Sequence, residues 1–410
     1  MKRHRLFCLV ALWVVWMGVA YADTTWVNPG QVEGSWTRRV SPVMIGGGDI
    51  EIPSGSSLSI WPGVEVIFTG PYRLIIHGSL FTYGQEGDSI RFTTDTLTNP
   101  GRWRGLYAQS AICSLRFCIL EFARGDDQSG GGLHAEQCRV HLKSCRIFSN
   151  ESAMNGGGLF GAACPDFTLL DCDIRGNRAR NGGAIYWAQT PAEIMRCQVA
   201  DNRALESGGG LYGVRSVWTL YRCWIADNRA ESGSGGGVRS DSGTVRILNS
   251  ILLRNRAAQD GGGLFCRGGQ SDAVLFSDLL ADSAGRGSGM YSAGRYPQVN
   301  NSIIGQCEGG AAVYFEPAPS VDFSYNDMYG NSGGNFSGTY SNLLGILSRQ
   351  NARGIQCDYF YNIFENPGFQ DWSNEDFHLM EDLPCRESGR AASVDNDFDG
   401  RIRPNPANSA

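Results

Sequence analysis

The chain has 410 residues, 42% hydrophobic and 19% charged, with a formal net charge of −6; it can bury a long core and is neither disordered nor suited to nucleic acid. Its 55 glycines follow no strict three-residue period, which excludes collagen and assigns glycine to turns. Basic charge is almost wholly arginine, with Lys2 and Lys143 as the lysines.

The chain opens with a basic cluster (Lys2, Arg3, Arg5), an apolar run over Leu6–Val19 and the small-residue site Ala20-Tyr21-Ala22. This order reads as a signal peptide over residues 1–22, cleaved before Asp23. No later segment reaches the roughly 18 apolar residues of a membrane span. The mature chain is therefore expected to be exported: secreted, periplasmic, or held at the cell surface or outer membrane.

From residue 133 a phrase of glycines followed by an aliphatic residue recurs at Leu133, Leu159, Ile185, Leu211, Val238 and Leu264, at intervals of 26, 26, 26, 27 and 26 residues. The beat continues through Met290 and then Val313, where the interval shortens to 23. A period in the twenties without helical patterning is the mark of a solenoid with one coil per repeat.

A second column holds Asn150, Asn177, Asn202, Asn228 and Asn255, each five residues after Cys145, Cys172, Cys197, Cys223 and Ser250. The segment reads Cys-x-[Ile/Val/Leu]-x-x-Asn, a short strand with alternate side chains inward. Short strands and glycine turns in every 26 residues predict an all-β parallel β-helix of roughly a dozen coils, a rod on the order of 60 Å. The β-helix is expected over residues 23–345, with 346–410 as its C-terminal closing segment. Asparagine is placed at bends, where it tolerates left-handed backbone. Serine alternates with cysteine in one column, which implies a slot for a small inward side chain rather than disulfides. Cys113, Cys138 and Cys164, with Cys307, Cys357 and Cys385, remain as disulfide candidates of unknown pairing.

The glycine-aliphatic phrase with [Ile/Val/Leu]-x-x-Asn resembles the repeats of chlamydial polymorphic outer-membrane proteins. More broadly the chain resembles the exported right-handed parallel β-helix proteins of the pectin-lyase-like superfamily. Ile52-Pro53-Ser54-Gly55 through Val64 resembles the opening coils of that superfamily, and Gly101-Arg102-Trp103-Arg104-Gly105 its W-x-G strand. Asn366-Pro367-Gly368-Phe369, Asp376-Phe377-His378-Leu379 and Asp397-Phe398-Asp399-Gly400-Arg401 resemble the closing segment of bacterial surface β-helix proteins. Here aliphatic residues stand where the chlamydial repeat has Phe, and no series of alternating strands for a translocator barrel is present.

One residue past the aliphatic column lies His134, Phe160, Tyr186, Tyr212, Arg239, Phe265, Tyr291, Tyr314. If the aliphatic residues face inward these face out, offering either a stacked platform for sugars or a protein partner, or aromatics that stabilise one another across rungs. Arg178, Arg203, Arg229 and Arg256 form a further column after the asparagines, to be balanced by an acidic polymer or by nearby acids such as Asp201, Glu206 and Glu231. Asp395-Asn396-Asp397-Phe398-Asp399-Gly400 opens like a calcium loop, with Asp395, Asp397 and Asp399 as ligands, but Pro406 stands where the bidentate Glu belongs. The expected cofactor is accordingly none, or Ca2+ at that turn.

Galacturonan hydrolases of this fold use clustered aspartates near a histidine, and the one echo is Asp126 and Asp127 followed by His134. No phosphate loop, nucleophile elbow or metal-spaced histidine cluster is found. The expected function is a non-catalytic, adhesin-like protein that binds glycans, cell-envelope components or a host surface along one face. The alternative is a carbohydrate-active enzyme, a polysaccharide lyase or glycosidase. A structural surface-layer or fibre component is a third reading, and no nucleic-acid partner is expected.

Overall fold

A computed structural model of the chain describes residues 24–126, 129–269, 272–294, 297–316, 322–386, 388–390 and 396–402. The expected signal peptide lies outside these residues. The described chain is a parallel β-solenoid. Sheets I and II each hold 13 strands, sheet III holds 12 and sheet IV holds eight two-residue strands. One full coil runs Cys118–Glu121 in sheet I, Arg124–Gly125 in sheet IV, Leu133–Glu136 in sheet II and Arg139–Lys143 in sheet III, before Arg146–Phe148 re-enters sheet I. Sheet IV begins at Arg124–Gly125, where the glycine beat sets in.

The aliphatic column is the inner face of sheet II: Leu133, Leu159, Ile185, Leu211, Val238, Leu264, Met290 and Val313 pair rung to rung in unbroken register. All eight are fully buried. The glycines between sheets IV and II have two separate causes. Gly182 turns the chain at φ +62°, and a Cβ on Gly183 would lie 2.2 Å from the Gly209 carbonyl oxygen one rung away. The first glycine supplies a conformation, the second an absence of volume.

The cysteine and asparagine columns prove to be one device used at successive corners. At the corner from sheet III to sheet I, Ser144, Asp171, Arg196, Arg222, Asn249, Phe276 and Asn301 all have φ near +50°. Each is followed by an inward Cys or Ser, from Cys145 to Ser302. That side chain accepts a hydrogen bond from the backbone N–H of its counterpart one rung back: Cys223 N–H to Ser250 Oγ at 3.0 Å, Ser250 to Ser277 at 3.1 Å, Ser277 to Ser302 at 3.2 Å. After sheet I the same pattern recurs. Asp201, Asp227 and Arg254 turn at positive φ, and Asn202, Asn228 and Asn255 follow. Asparagine was expected to occupy the bend; instead the residue before it bends, and the amide points inward. Asn177 Oδ1 accepts the Asn150 N–H at 3.0 Å, and Asn202 Oδ1 accepts the Asn177 N–H at 2.9 Å. A left-handed non-glycine residue costs about 1–2 kcal/mol; a buried N–H left without its acceptor would cost a similar amount again.

All twelve cysteines among the described residues are free. The disulfide expectation for Cys113, Cys138, Cys164, Cys307, Cys357 and Cys385 is thereby corrected. Cys113 pairs in register with Leu80 and Val140 in sheet III, whereas Cys138 and Cys164 sit at the corner from sheet II to sheet III, in the acceptor column that Thr190 and Ser216 continue. Burial pushes the Cys113 and Cys307 thiols up and the Cys223 thiol to about 12, which makes them inert packing groups.

Asp282 replaces asparagine in its column and is fully buried. Its Oδ1 accepts from the Asn255 N–H at 2.7 Å, but Oδ2 has no partner. Against Gly263, Oδ2 takes the place that the amide nitrogens of Asn228 and Asn255 take against Gly210 and Gly237. Desolvation holds this carboxyl well above the usual carboxylate range, and only the neutral acid can donate from that position as an amide does. The unfolded chain releases this proton in the ordinary carboxylate range while the native coil retains it. Stability is therefore fully present below that range and declines as pH rises toward the native value. Asp282→Asn is expected to raise the melting temperature more at pH 7 than at pH 4; a pH-independent change, or a loss at pH 7, would contradict the assignment.

Candidate functional site

The outer column of sheet II is a continuous stack. His134 lies between Tyr107 (4.7 Å, 12°) and Phe160 (4.8 Å, 22°); Phe160 stacks on Tyr186 at 5.8 Å, and Tyr186 meets Tyr212 edge-on at 5.1 Å. The Arg239 guanidinium bridges Tyr212 (5.1 Å) and Phe265 (4.5 Å), and Phe265, Tyr291 and Tyr314 continue at 5.1 and 5.0 Å. The column does face away from the core, yet an open platform is not what forms. Phe265 and Tyr291 are 0% and 1% exposed and Phe160 8%, while Tyr186, Tyr212, Arg239 and Tyr314 are half-buried. Each ring covers the face of the next. Three polar side chains also find partners within the stack: the Tyr212 hydroxyl donates to Asp241 at 2.5 Å, Arg239 Nε to the same carboxylate at 2.8 Å, and the Tyr291 hydroxyl to Glu316. The geometry is that of cross-rung stabilisation.

The hydrolase echo is not assembled. His134 is 5% exposed, with Nδ1 2.8 Å from the Ser129 carbonyl and Nε2 3.2 Å from the Glu136 carboxylate. Asp126 is exposed and accepts from Arg124 Nε at 2.7 Å. Asp127 lies outside the described residues.

The expected closing segment does more than close. Asn362 extends the asparagine column, with its Oδ1 accepting the Asn326 N–H at 3.0 Å. From residue 366 the chain doubles back along the outer face of sheet I, where Phe369, Phe377 and Phe398 pack with Trp224, Ile251 and Leu280 in a separate apolar cluster. Arg222 Nε donates to the Phe398 carbonyl at 2.5 Å, and Arg254 bridges Asp227 (2.8 Å) and Glu375 (2.6 Å). A cleft of about 880 Å³ remains between this segment and sheet I. Within it Asp327 accepts the Cys385 thiol proton at 2.8 Å, and burial raises its carboxyl to about 7.

The calcium-loop sequence forms a hairpin turn. Asp397 Oδ1 accepts the Arg401 N–H at 2.7 Å, while Asp399 Oδ2 is 2.7 Å from His378 Nε2. Asp395 lies outside the described residues. The two carboxylates serve different partners, and among the described residues no group of three acidic, histidine or cysteine side chains is arranged to hold a metal. No helix among them is long and apolar enough to cross a membrane.

The arginine column has the opposite character. Arg178, Arg203, Arg229 and Arg256 are in direct register on sheet IV and all exposed. Arg203 is paired with Glu231. Neighbouring charges at about 4.8 Å repel by about 1 kcal/mol even in bulk water.

Residues 107–278 match the family described as right handed beta helix region. No curated protein matches the chain. Among solved structures, a mutant of the periplasmic alginate epimerase AlgG is similar at 11% identity, covering 76% of this chain and 77% of its own, with a TM-score of 0.37. That likeness is too distant to bear on activity.

Two outcomes follow from this geometry. Phe265→Ala is expected to lower stability by about 3–5 kcal/mol, measured by denaturant unfolding; a change below about 1 kcal/mol would mean that the stack is not structural. The His378 imidazole, held between Asp399 and Asp376 (2.5 Å), is raised above its ordinary value by those two hydrogen bonds. Its contribution is fully present below the unfolded value and is lost as pH rises through the native one. Because the group is half exposed, His378→Gln should cost at most about 1 kcal/mol near pH 5 and nothing near pH 9; equal effects at both pH values would contradict the clamp.

Proposed function

We propose that this right-handed parallel β-helix protein is an exported, non-catalytic binding protein whose ligand is a glycan polymer laid along one lateral face. The observation that supports the reading is translational repetition. On sheet IV the same outward side chain recurs in register over four successive coils, so a single contact is offered again one rung further on. Only a ligand with its own repeat can use such a surface fully, gaining avidity from contacts that are individually weak. The candidate catalytic groups favour binding over catalysis, since His134 is enclosed in its stack and Asp126 is ion-paired with Arg124. A cell-envelope or host-surface polysaccharide is the partner this reading names.

The test is a screen of soluble polysaccharides and their short fragments, scoring binding and product release together. Affinity is expected to rise with chain length and no product to form. Release of shortened or unsaturated sugars, abolished by Asp126→Ala, would replace this reading with that of a carbohydrate-active enzyme.

A further inference from the structure

We infer that the exposed arginines of sheet IV form the binding strip, and that its ligand is an acidic polysaccharide carrying an anionic group at each repeat; this rests on the polymer-binding reading above and names its face and chemistry. The argument starts from how this fold treats arginine elsewhere. Arg196 makes a two-pronged pair with Asp171 (2.8 and 2.9 Å), Arg254 with Asp227 (2.9 and 2.8 Å) and Arg286 with Asp260 (2.7 and 3.0 Å), each partner lying one rung away. The coil repeat thus places carboxylates readily where guanidinium groups need them.

Sheet IV departs from that habit. Arg178, Arg229 and Arg256 have no carboxylate within 4.0 Å among the described residues, and Arg203 alone of the four is held, by Glu231. The backbone beneath them is fixed, because Ala179, Ala204, Ala230 and Ala257 alternate with the arginines and are buried in an inward column. The cations are therefore aligned by the rungs at about 4.8 Å spacing, while their side chains stay free to reach.

Guanidinium groups recognise planar carboxylates through paired N–H donors. A polyuronate-like chain running parallel to the axis brings successive carboxylates past successive arginines, and each ion pair also relieves the repulsion within the column. A neutral glycan gains none of this, and a single uronic acid gains one contact. The strip is one side chain wide and ends in its own column at Glu151, in register with Arg178, and at Ser283, in register with Arg256, which suits a single polymer chain rather than a duplex with two rows of phosphates.

The experiment is calorimetric titration of the mature chain with polygalacturonate, monomeric galacturonate, dextran and double-stranded DNA, at low and high salt. Three proteins are compared: the natural sequence, a variant with Arg178→Gln, Arg229→Gln and Arg256→Gln, and a control of equal charge change with Arg139→Gln and Arg246→Gln on sheet III and Arg215→Gln at the corner that leads into it. Thermal melts establish that all three are folded. Polygalacturonate is expected to bind the natural and control proteins, to weaken with salt, and to lose at least tenfold affinity for the sheet IV variant, with the monomer and dextran inert. Polygalacturonate affinity unchanged in the sheet IV variant, or dextran bound as well as polygalacturonate, would overturn the strip while leaving the polymer reading intact. Binding of none of the sugars would overturn both. Preference for DNA through the same arginines would overturn the ligand class.

Discussion

Every coil of this molecule must turn several corners within single residues, and each turn strands a backbone N–H that faces the core. Where a Cys, Ser, Thr, Asn or Asp follows the left-handed corner residue, its inward side chain supplies the acceptor to the rung before it. Asn202 serves Asn177, Ser277 serves Ser250, and Ser216 serves Thr190. This hydrogen bond ties neighbouring coils together where the sheet ladders are interrupted. It thereby fixes the register on which the aliphatic core and the outer columns depend. A one-residue slip at a corner would send the buried leucines of sheet II outward and their tyrosine neighbours in.

The same constraint explains the composition. Cysteine, serine, threonine, asparagine and one aspartic acid are interchangeable at these positions because each is small and can accept. Twelve free cysteines among the described residues of a chain expected to be exported make sense as acceptors and packing groups rather than as unpaired disulfide partners. Asp282 marks the limit of the substitution: it accepts as asparagine does, but must keep a proton to fill the donor's place.

Much of the fold could be read from the amino acids because a solenoid writes its geometry as a period. Ile185 and Leu211 are core because they are aliphatic on the beat, and the serines of the cysteine column correctly argued against disulfides there. What escaped was whatever depends on a neighbour one rung away or far along the chain. The bend lies at Asp201 rather than at Asn202, a shift that periodicity cannot resolve because both residues recur at the same interval. Phe265 and Tyr291 alternate outward as expected, but their burial arises from the rings and guanidinium groups stacked on them. The return of residues 366–386 and 396–401 over sheet I could be anticipated only from the apolar surface of Trp224 and Ile251, which sit at nominally outward positions. The arginine column was visible as a spacing; that Arg178, Arg229 and Arg256 lack, among the described residues, the acid partners which Arg196, Arg254 and Arg286 possess required the structure.

The claim that corner acceptors hold the register is most directly tested by site-resolved native-state hydrogen exchange. The amides of Asn177, Asn202 and Asn228 should exchange as slowly as those of Ile185 and Leu211 within sheet II, through opening of the coil as a whole. Exchange of these corner amides at the rate of surface turns, with sheet II still protected, would show that the register is held by the sheets alone.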